Sequence, residues 1–229
     1  MKDSRMSDTA EGPTPSYRKI VGRTREAYDR NASEYGSLTA MYESFPGLKN
    51  EVISFVRSAP AEGAILDLGA GGGRDSRYIS TLGRAVVAAD ISLSMIRHAR
   101  SGVATDIRAG MTGPVGYVQS DILDLPFADR AFSGVWACAS LLHLPSVDLV
   151  GALKEIARVL RFNGVVSISM KEGAGEGWRH GGSLQGARWF TLTTPAQILD
   201  MLSIVGFDGM ASRYSGREGW FVATARKFS

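Results

Sequence analysis

The sequence predicts an α/β protein: a doubly wound, mostly parallel sheet of seven strands, with an antiparallel strand near the carboxyl terminus and a helical cap at the amino terminus. Three observations predict it. From residue 61 onward, short apolar runs of β type alternate with longer amphipathic stretches, the pattern of a parallel sheet covered by helices on both faces. Before that point the chain reads as helical. After residue 206, two apolar runs stand too close together for a parallel crossover.

A length of 229 residues with 44% hydrophobic content suits one globular unit with a sizeable core. Residues 1–16 mix charged, small and Pro residues and read as a disordered leader, with no apolar stretch able to act as a signal segment or membrane span. The expected setting is cytoplasmic, with no membrane partner. Residues 17–60 form the expected cap, and 61–229 the main domain. In the cap, Tyr28, Tyr35 and Tyr42 recur at a spacing of seven, and Val52, Ile53, Phe55 and Val56 supply a second apolar stripe. Pro46-Gly47 divides it into at least two helices.

The first five strands are expected at 64–68, 85–89, 115–119, 132–137 and 165–170. Helices at 74–82, 92–100 and 147–160 lie between them, the last stopped by Asn163-Gly164. A final helix at 195–205 opens with Thr194 as N-cap and Pro195 at its first position. The runs 207–214 and 219–225 flank Ser215-Gly216-Arg217-Glu218, a hairpin-sized loop, so one of them runs antiparallel to the rest. Segment 171–193 holds six glycines with Trp178, His180, Arg188 and Trp189 directly after the fifth strand. It reads as a lid.

Charge and cysteine content bound the chemistry. The net charge is +3, with one concentration of cations at Arg18, Lys19, Arg23, Arg25 and Arg30. A solvated helix face or an anion-binding patch both account for it. Basic and aromatic residues do not interleave as in a single-strand platform, which argues against a nucleic-acid partner. Cys138 is the single cysteine, and His98, His143 and His180 are scattered, so no metal site is expected.

The densest motif is Ile65-Leu66-Asp67-Leu68-Gly69-Ala70-Gly71-Gly72-Gly73. A glycine turn between a first strand and a first helix lets backbone approach a ligand closely. The dinucleotide pattern needs a glycine at the sixth place, where Arg74 stands; here the glycines fall at one, three and five. Asp67, on a buried strand, carries a charge that needs a partner, which a cationic ligand group would supply.

The pattern Asp67-x-Gly69-x-Gly71-x-Gly73 is similar to motif I of the class I S-adenosylmethionine-dependent methyltransferases, and the chain continues to resemble that superfamily in order. Asp90 ends the second strand, where the family binds the ribose diol. Gln119-Ser120-Asp121-Ile122 resembles the motif that meets the adenine amino group, and Phe132-Ser133-Gly134-Val135-Trp136-Ala137 the fourth strand. The match is strong over 61–170 and loose beyond, and its landmarks fall at strand carboxyl ends, where open α/β sheets bind ligands. The resemblance implies S-adenosylmethionine as cofactor, held by Asp67, Gly69, Ala70, Gly71, Gly73, Asp90, Ile91, Met95, Asp121, Ile122, Ala137, Cys138 and Leu142. Tyr28-Asp29-x-x-Ala32-x-x-Tyr35 is similar to the amino-terminal helix of small-molecule members, where a tyrosine lies over the methyl donor. Packing of the cap is an equal reading of Tyr28 and Tyr35.

His143, just beyond the fourth strand, is the candidate base, with packing or orientation of the acceptor as its alternative. Tyr28, Lys171, Trp178, Arg179 and Arg188 are expected on the acceptor side. Cys138 is preceded by Ala137 rather than the proline that accompanies a cytosine-methylating nucleophile. The expected activity is methyl transfer to a small-molecule acceptor, resembling ubiquinone-pathway, tellurite-resistance and antibiotic-tailoring enzymes, by a monomer or homodimer. An RNA methyltransferase, a non-catalytic adenosylmethionine-binding protein and, more distantly, a nicotinamide oxidoreductase are the alternatives.

Overall fold

In the computed structural model, which describes residues 16–102, 113–180 and 184–228, the apolar runs assemble into one seven-stranded sheet. Its strands are β1 (Ala64–Leu68), β2 (Val86–Asp90), β3 (Val115–Gln119), β4 (Phe132–Cys138), β5 (Leu160–Lys171), β8 (Phe207–Tyr214) and β9 (Trp220–Lys227). Their spatial order is β3-β2-β1-β4-β5-β9-β8. Strands β1 to β5 pair in parallel, while β9 lies antiparallel between β5 and β8. The five-residue loop 215–219 forces that reversal, since it can close only a hairpin.

The helices are α1 (Tyr17–Leu38), α2 (Leu48–Ser58), α3 (Arg74–Thr81), α4 (Leu93–Ser101), α5 (Leu149–Val159) and α6 (Pro195–Ile204). Alternation along the strands sends side chains to two apolar layers. Leu66 and Leu68 of β1 join Leu153 and Ile156 of α5 and Ile198 and Leu202 of α6 on one face. Ile65 joins Val52 and Phe55 of α2, Ile79 of α3 and Trp136 of β4 on the other. Helix α6 starts where its capping chemistry dictates: the Thr194 hydroxyl accepts the Gln197 amide, and the Gln197 side chain accepts the Thr194 amide.

Two expectations are corrected. The tyrosine repeat does not mark one helix, because α1 ends at Leu38 and Tyr42 sits in a separate 3-10 turn, Tyr42–Ser44. Asn163-Gly164 does not stop α5, which ends at Val159. Instead Asn163, at φ 62°, makes a bulge inside β5, where Phe132 pairs with Leu160 but Gly134 with Val165. Asparagine tolerates that left-handed backbone, which is why it resembles a helix stop in sequence. Within segment 171–193, expected as a lid, the described residues hold regular structure: β6 (Glu176–Arg179) and β7 (Arg188–Thr191) pair antiparallel as a hairpin with Trp189 buried. The leader expected at 1–16 lies, apart from Ser16, outside the described residues. No helix among the described residues is long and apolar enough to cross a membrane.

Candidate functional site

The carboxyl ends of β1, β2 and β4, the hairpin and α1 enclose a cavity of about 440 Å³. Its floor is the turn after β1. Gly69 has φ 76°, and a Cβ there would stand 2.2 Å from the Cβ of Ser140, so only glycine lets the two loops touch. Gly73, at φ 77°, opens α3, and a Cβ would meet that of Ala99 in α4 at 2.9 Å. Close helix packing, assigned in dinucleotide folds to the sixth place, is carried here by the fifth.

Carboxylates line the strand ends. Asp67 is buried and accepts the Ser76 hydroxyl at 2.5 Å. Burial, and then the charge of Asp75, push its carboxyl above the usual range. Asp90 accepts amides of Gly71 and Ser92, each at 2.8 Å; burial raises its pKa, and those two bonds restrain the rise. Asp121 accepts the Tyr17 hydroxyl and, at 3.0 Å, the Leu123 amide. The hydroxyl oxygens of Ser120 and Ser140, which also line the cavity, are buried without a hydrogen-bond partner among the described residues.

Helix α1 roofs the cavity because several of its residues are tied to the domain. The Asp29 carboxylate accepts the Ser92 hydroxyl at 2.6 Å and the Ser94 amide at 3.2 Å, which locks α1 to the start of α4. The Asn31 amide donates to the Gln185 carbonyl at 2.9 Å, and the Thr24 hydroxyl accepts the Trp189 amide at 3.1 Å. Tyr28 and Tyr35 then point inward and meet edge to face at 5.4 Å.

His143 connects roof and floor. Its Nδ1 lies 2.6 Å from the Trp189 carbonyl oxygen, and its Nε2 2.8 Å from the Tyr28 hydroxyl. A carbonyl can only accept, so Nδ1 carries the proton, and Nε2 accepts from the phenol. Burial, and secondarily the charge of Arg188, bring the imidazole down to about 4. At neutral pH it is an uncharged ring with one basic nitrogen at the cavity.

Most residues expected at the site share this one cavity: Tyr28, Tyr35, Asp67, Gly69, Ala70, Gly71, Asp90, Ile91, Asp121, Ile122, Cys138, Leu142, His143 and Arg188. Gly73, Met95 and Ala137 stand behind it, the last two fully buried, with the Met95 methyl beneath Gly71. Lys171, Trp178 and Arg179 do not line it. Lys171 ends β5 opposite Trp220, and β6 is the far strand of the hairpin, so Trp178 packs on Trp189 with Arg23 stacked 4.5 Å above it. Burial pushes the Cys138 thiol up to about 12, with Asp75 adding to it, which suits an inert thiol rather than a nucleophile. The basic residues Arg18, Lys19, Arg23 and Arg30 line a separate groove that α1 forms with His180, Gly186 and Ala187, and none of them lines the cavity.

Two buried ion pairs in the wall escaped the sequence reading. Asp75 accepts Arg74 at 2.8 and 3.2 Å, Tyr42 at 2.8 Å and Trp136 at 2.9 Å, joining the 3-10 turn, α3 and β4. Burial alone would raise its pKa, but the Arg74 guanidinium and these donors hold it below the usual range. Arg217, in the β8–β9 loop, donates to Glu51 of α2 at 3.0 Å and to Ser169 at 2.8 Å, and stacks 4.8 Å from Trp220. Arg74 and Asp75 adjoin the glycine turn and were open to notice. Glu51 and Arg217 stand 166 positions apart, with no local signal joining them.

Residues 66–168 match the family model described as a methyltransferase domain. Over those residues the chain is similar to a methyltransferase domain. Among curated proteins, it is 33% identical over 106 residues to methyltransferase GfsG of Streptomyces halstedii, covering 46% of this chain and 36% of that one. It is 32% identical over 141 residues to a malonyl-[acyl-carrier protein] O-methyltransferase of Pseudescherichia vulneris, covering 60% and 52%. The match thus spans between about a third and a half of these relatives' own lengths. In fold, the chain resembles the 1,6-didemethyltoxoflavin-N1-methyltransferase of Burkholderia thailandensis, solved with bound 1,6-didemethyltoxoflavin and S-adenosylhomocysteine. That likeness has a TM-score of 0.73 at 21% identity and covers 96% of this chain and 94% of that one.

Proposed function

We propose that the protein transfers a methyl group from S-adenosylmethionine to a small-molecule acceptor. The observation that carries this reading is the convergence of Asp67, Asp90 and Asp121 with the turn at 69–72 in one cavity that also holds His143. The residues present fit the donor. Asp67 is a buried carboxylate suited to an ammonium, and Asp90, held by two amides, keeps lone pairs for a ribose diol. Asp121 suits an adenine amino group, and the orphaned Ser120 and Ser140 hydroxyls offer further partners.

Bound S-adenosylmethionine supplies a methyl carried on a positively charged sulfur, open to direct displacement by an aligned nucleophile. The chain's own task is then to hold the acceptor in line and receive any proton it gives up. A proton leaving the acceptor passes to the Tyr28 oxygen as the Tyr28 proton moves to Nε2 of His143; Nδ1 keeps its proton on the Trp189 carbonyl. The neutral ring has a lone pair to receive it, but the burial that brings its pKa down to about 4 makes it a weak base, which restricts this relay to acceptors that are themselves acidic.

A cavity of about 440 Å³ falls within the usual range of roughly 300–1,000 Å³ for small-molecule sites. The curated relatives are also named as methyltransferases, one of them acting by its name on a carrier-borne malonyl group. The finer form of the proposal is a cytoplasmic natural-product tailoring enzyme, monomeric or dimeric, with residues 17–60 as its cap.

The test is incubation with methyl-labelled donor and a panel of small acceptors. Acceptor-dependent formation of adenosylhomocysteine is expected, and His143→Gln should lower kcat while leaving donor affinity intact. Turnover with structured RNA alone would replace the small-molecule reading. Donor binding with no turnover on any acceptor class would favour a non-catalytic binding protein.

A further inference from the structure

Helix α1 lies across the carboxyl edge of the sheet and touches the segments after β3, β2 and β1 in turn. At its start, the Tyr17 hydroxyl donates to Asp121 after β3; burial, and then that hydrogen bond, keep the phenol protonated. Midway, Asp29 accepts the Ser92 hydroxyl and the Ser94 amide after β2. Near its end, Gly36 meets the turn after β1, where a Cβ on Gly72 would stand 3.0 Å from the Gly36 Cα. At roughly 1.5 Å per residue the helix runs about 28 Å from Tyr17 to Gly36, so one rigid element covers all three strand ends.

Two of these contacts lead to the carboxylates assigned to the adenosine. Asp121 takes both the Tyr17 hydroxyl and the Leu123 amide on Oδ1, so neither competes with an amino group at Oδ2. Ser92, fully buried, gives its amide to Asp90 and its hydroxyl to Asp29, which joins the ribose carboxylate to α1 through one residue. That hydroxyl also accepts the Met95 amide at the start of α4, which fixes its position. Since neither contact uses an atom that the donor needs, both can stand whether or not it is bound.

We propose that Tyr17 and Asp29 are positioning residues for the donor: they pin α1 over the adenosine, and release of adenosylhomocysteine waits on both contacts opening. This rests on the methyl-transfer reading, since it takes the donor to lie along the ends of β1 to β3. Breaking a pin then lowers the barrier to entry and exit alike, whereas a disturbed donor site speeds exit alone.

The test follows association and dissociation of tritiated S-adenosylhomocysteine by rapid filtration. Tyr17→Phe, which keeps the ring, and Asp29→Ala should each raise both rates at least about tenfold, as expected for the loss of a hydrogen bond to a carboxylate, while the dissociation constant moves by less than about threefold. Asp29→Asn keeps an acceptor oxygen and should restore part of the slow exchange. Glu34→Gln, exposed on α1, should exchange as the wild type does. Unchanged rates in Tyr17→Phe or Asp29→Ala overturn the proposal, as does faster dissociation with unchanged association. Failure of the wild-type protein to bind adenosylhomocysteine would instead strike the methyl-transfer reading, so the two failures are distinguishable.

Discussion

Replacing Asp75 with Asn keeps the shape of the side chain and removes its charge. Four donor contacts converge on the two oxygens: Arg74 Nε and the Tyr42 hydroxyl on one, Arg74 Nη2 and Trp136 Nε1 on the other. A carboxylate accepts all four, but an amide must turn its NH₂ toward one of these donor pairs. Arg74 is also left without its counter-charge, with its side chain only 15% exposed. Stranding one member of a buried pair costs about 3–5 kcal/mol, a large share of the roughly 5–15 kcal/mol that holds a domain folded. At about 2–4 °C per kcal/mol for a chain of this size, the melting temperature should fall by roughly 6–20 °C. Urea unfolding followed by tryptophan fluorescence measures the loss. Adding Arg74→Met should recover part of it, because the unpaired guanidinium is removed. A loss under about 1 kcal/mol would refute the claim that Asp75 is the charged joint between the cap turn, α3 and β4.

Three further outcomes are expected. Gly69→Ala should destabilise more than Gly83→Ala: both sites have positive φ, a strain of about 1–2 kcal/mol for a non-glycine residue, but only at Gly69 does the new Cβ strike a neighbour. Equal losses in urea would contradict the close contact with Ser140. His143 falls to about 4 in the folded protein against roughly 6.5 unfolded, so the folded state binds fewer protons between those values. Its contribution is full above pH 6.5 and is lost as pH falls toward 4, by at most about 3 kcal/mol. His143→Gln should flatten that part of the stability profile, and an unchanged slope would show the ring is not buried neutral. Asp67, raised by burial, should lose its proton when an ammonium binds beside it. Titrating adenosylhomocysteine at pH 6 in two buffers of different ionisation heat should then show proton release, absent in Asp67→Asn; buffer-independent heats would contradict it.

Features encoded locally were legible in the sequence. The buried strands announce themselves as short apolar runs, the Thr194-Pro195 start of α6 by its capping chemistry, and Asp67, Asp90 and Asp121 by standing where such runs end. Features that depend on distant partners were not. Asn163-Gly164 has the composition of a helix stop, and only its register against Phe132 and Gly134 makes it a bulge. Trp178 and Arg179 looked like acceptor residues because aromatic and charged groups line pockets. The hairpin pairing that sets β6 outside β7 decides otherwise. Tyr42 keeps the tyrosine spacing yet belongs to a different element, since its hydroxyl is drawn to Asp75. The Glu51–Arg217 pair arises only once α2 and the last hairpin meet across the sheet.

The central claim, that the strand-end cavity is a donor site for methyl transfer, is tested most directly by calorimetric titration of the protein with S-adenosylhomocysteine, alongside the Asp90→Ala variant. The account predicts saturable one-site binding that weakens by about tenfold or more when the doubly anchored Asp90 carboxylate is removed, in a variant that remains folded. No binding by the wild-type protein, or equal affinity in the variant, would contradict it.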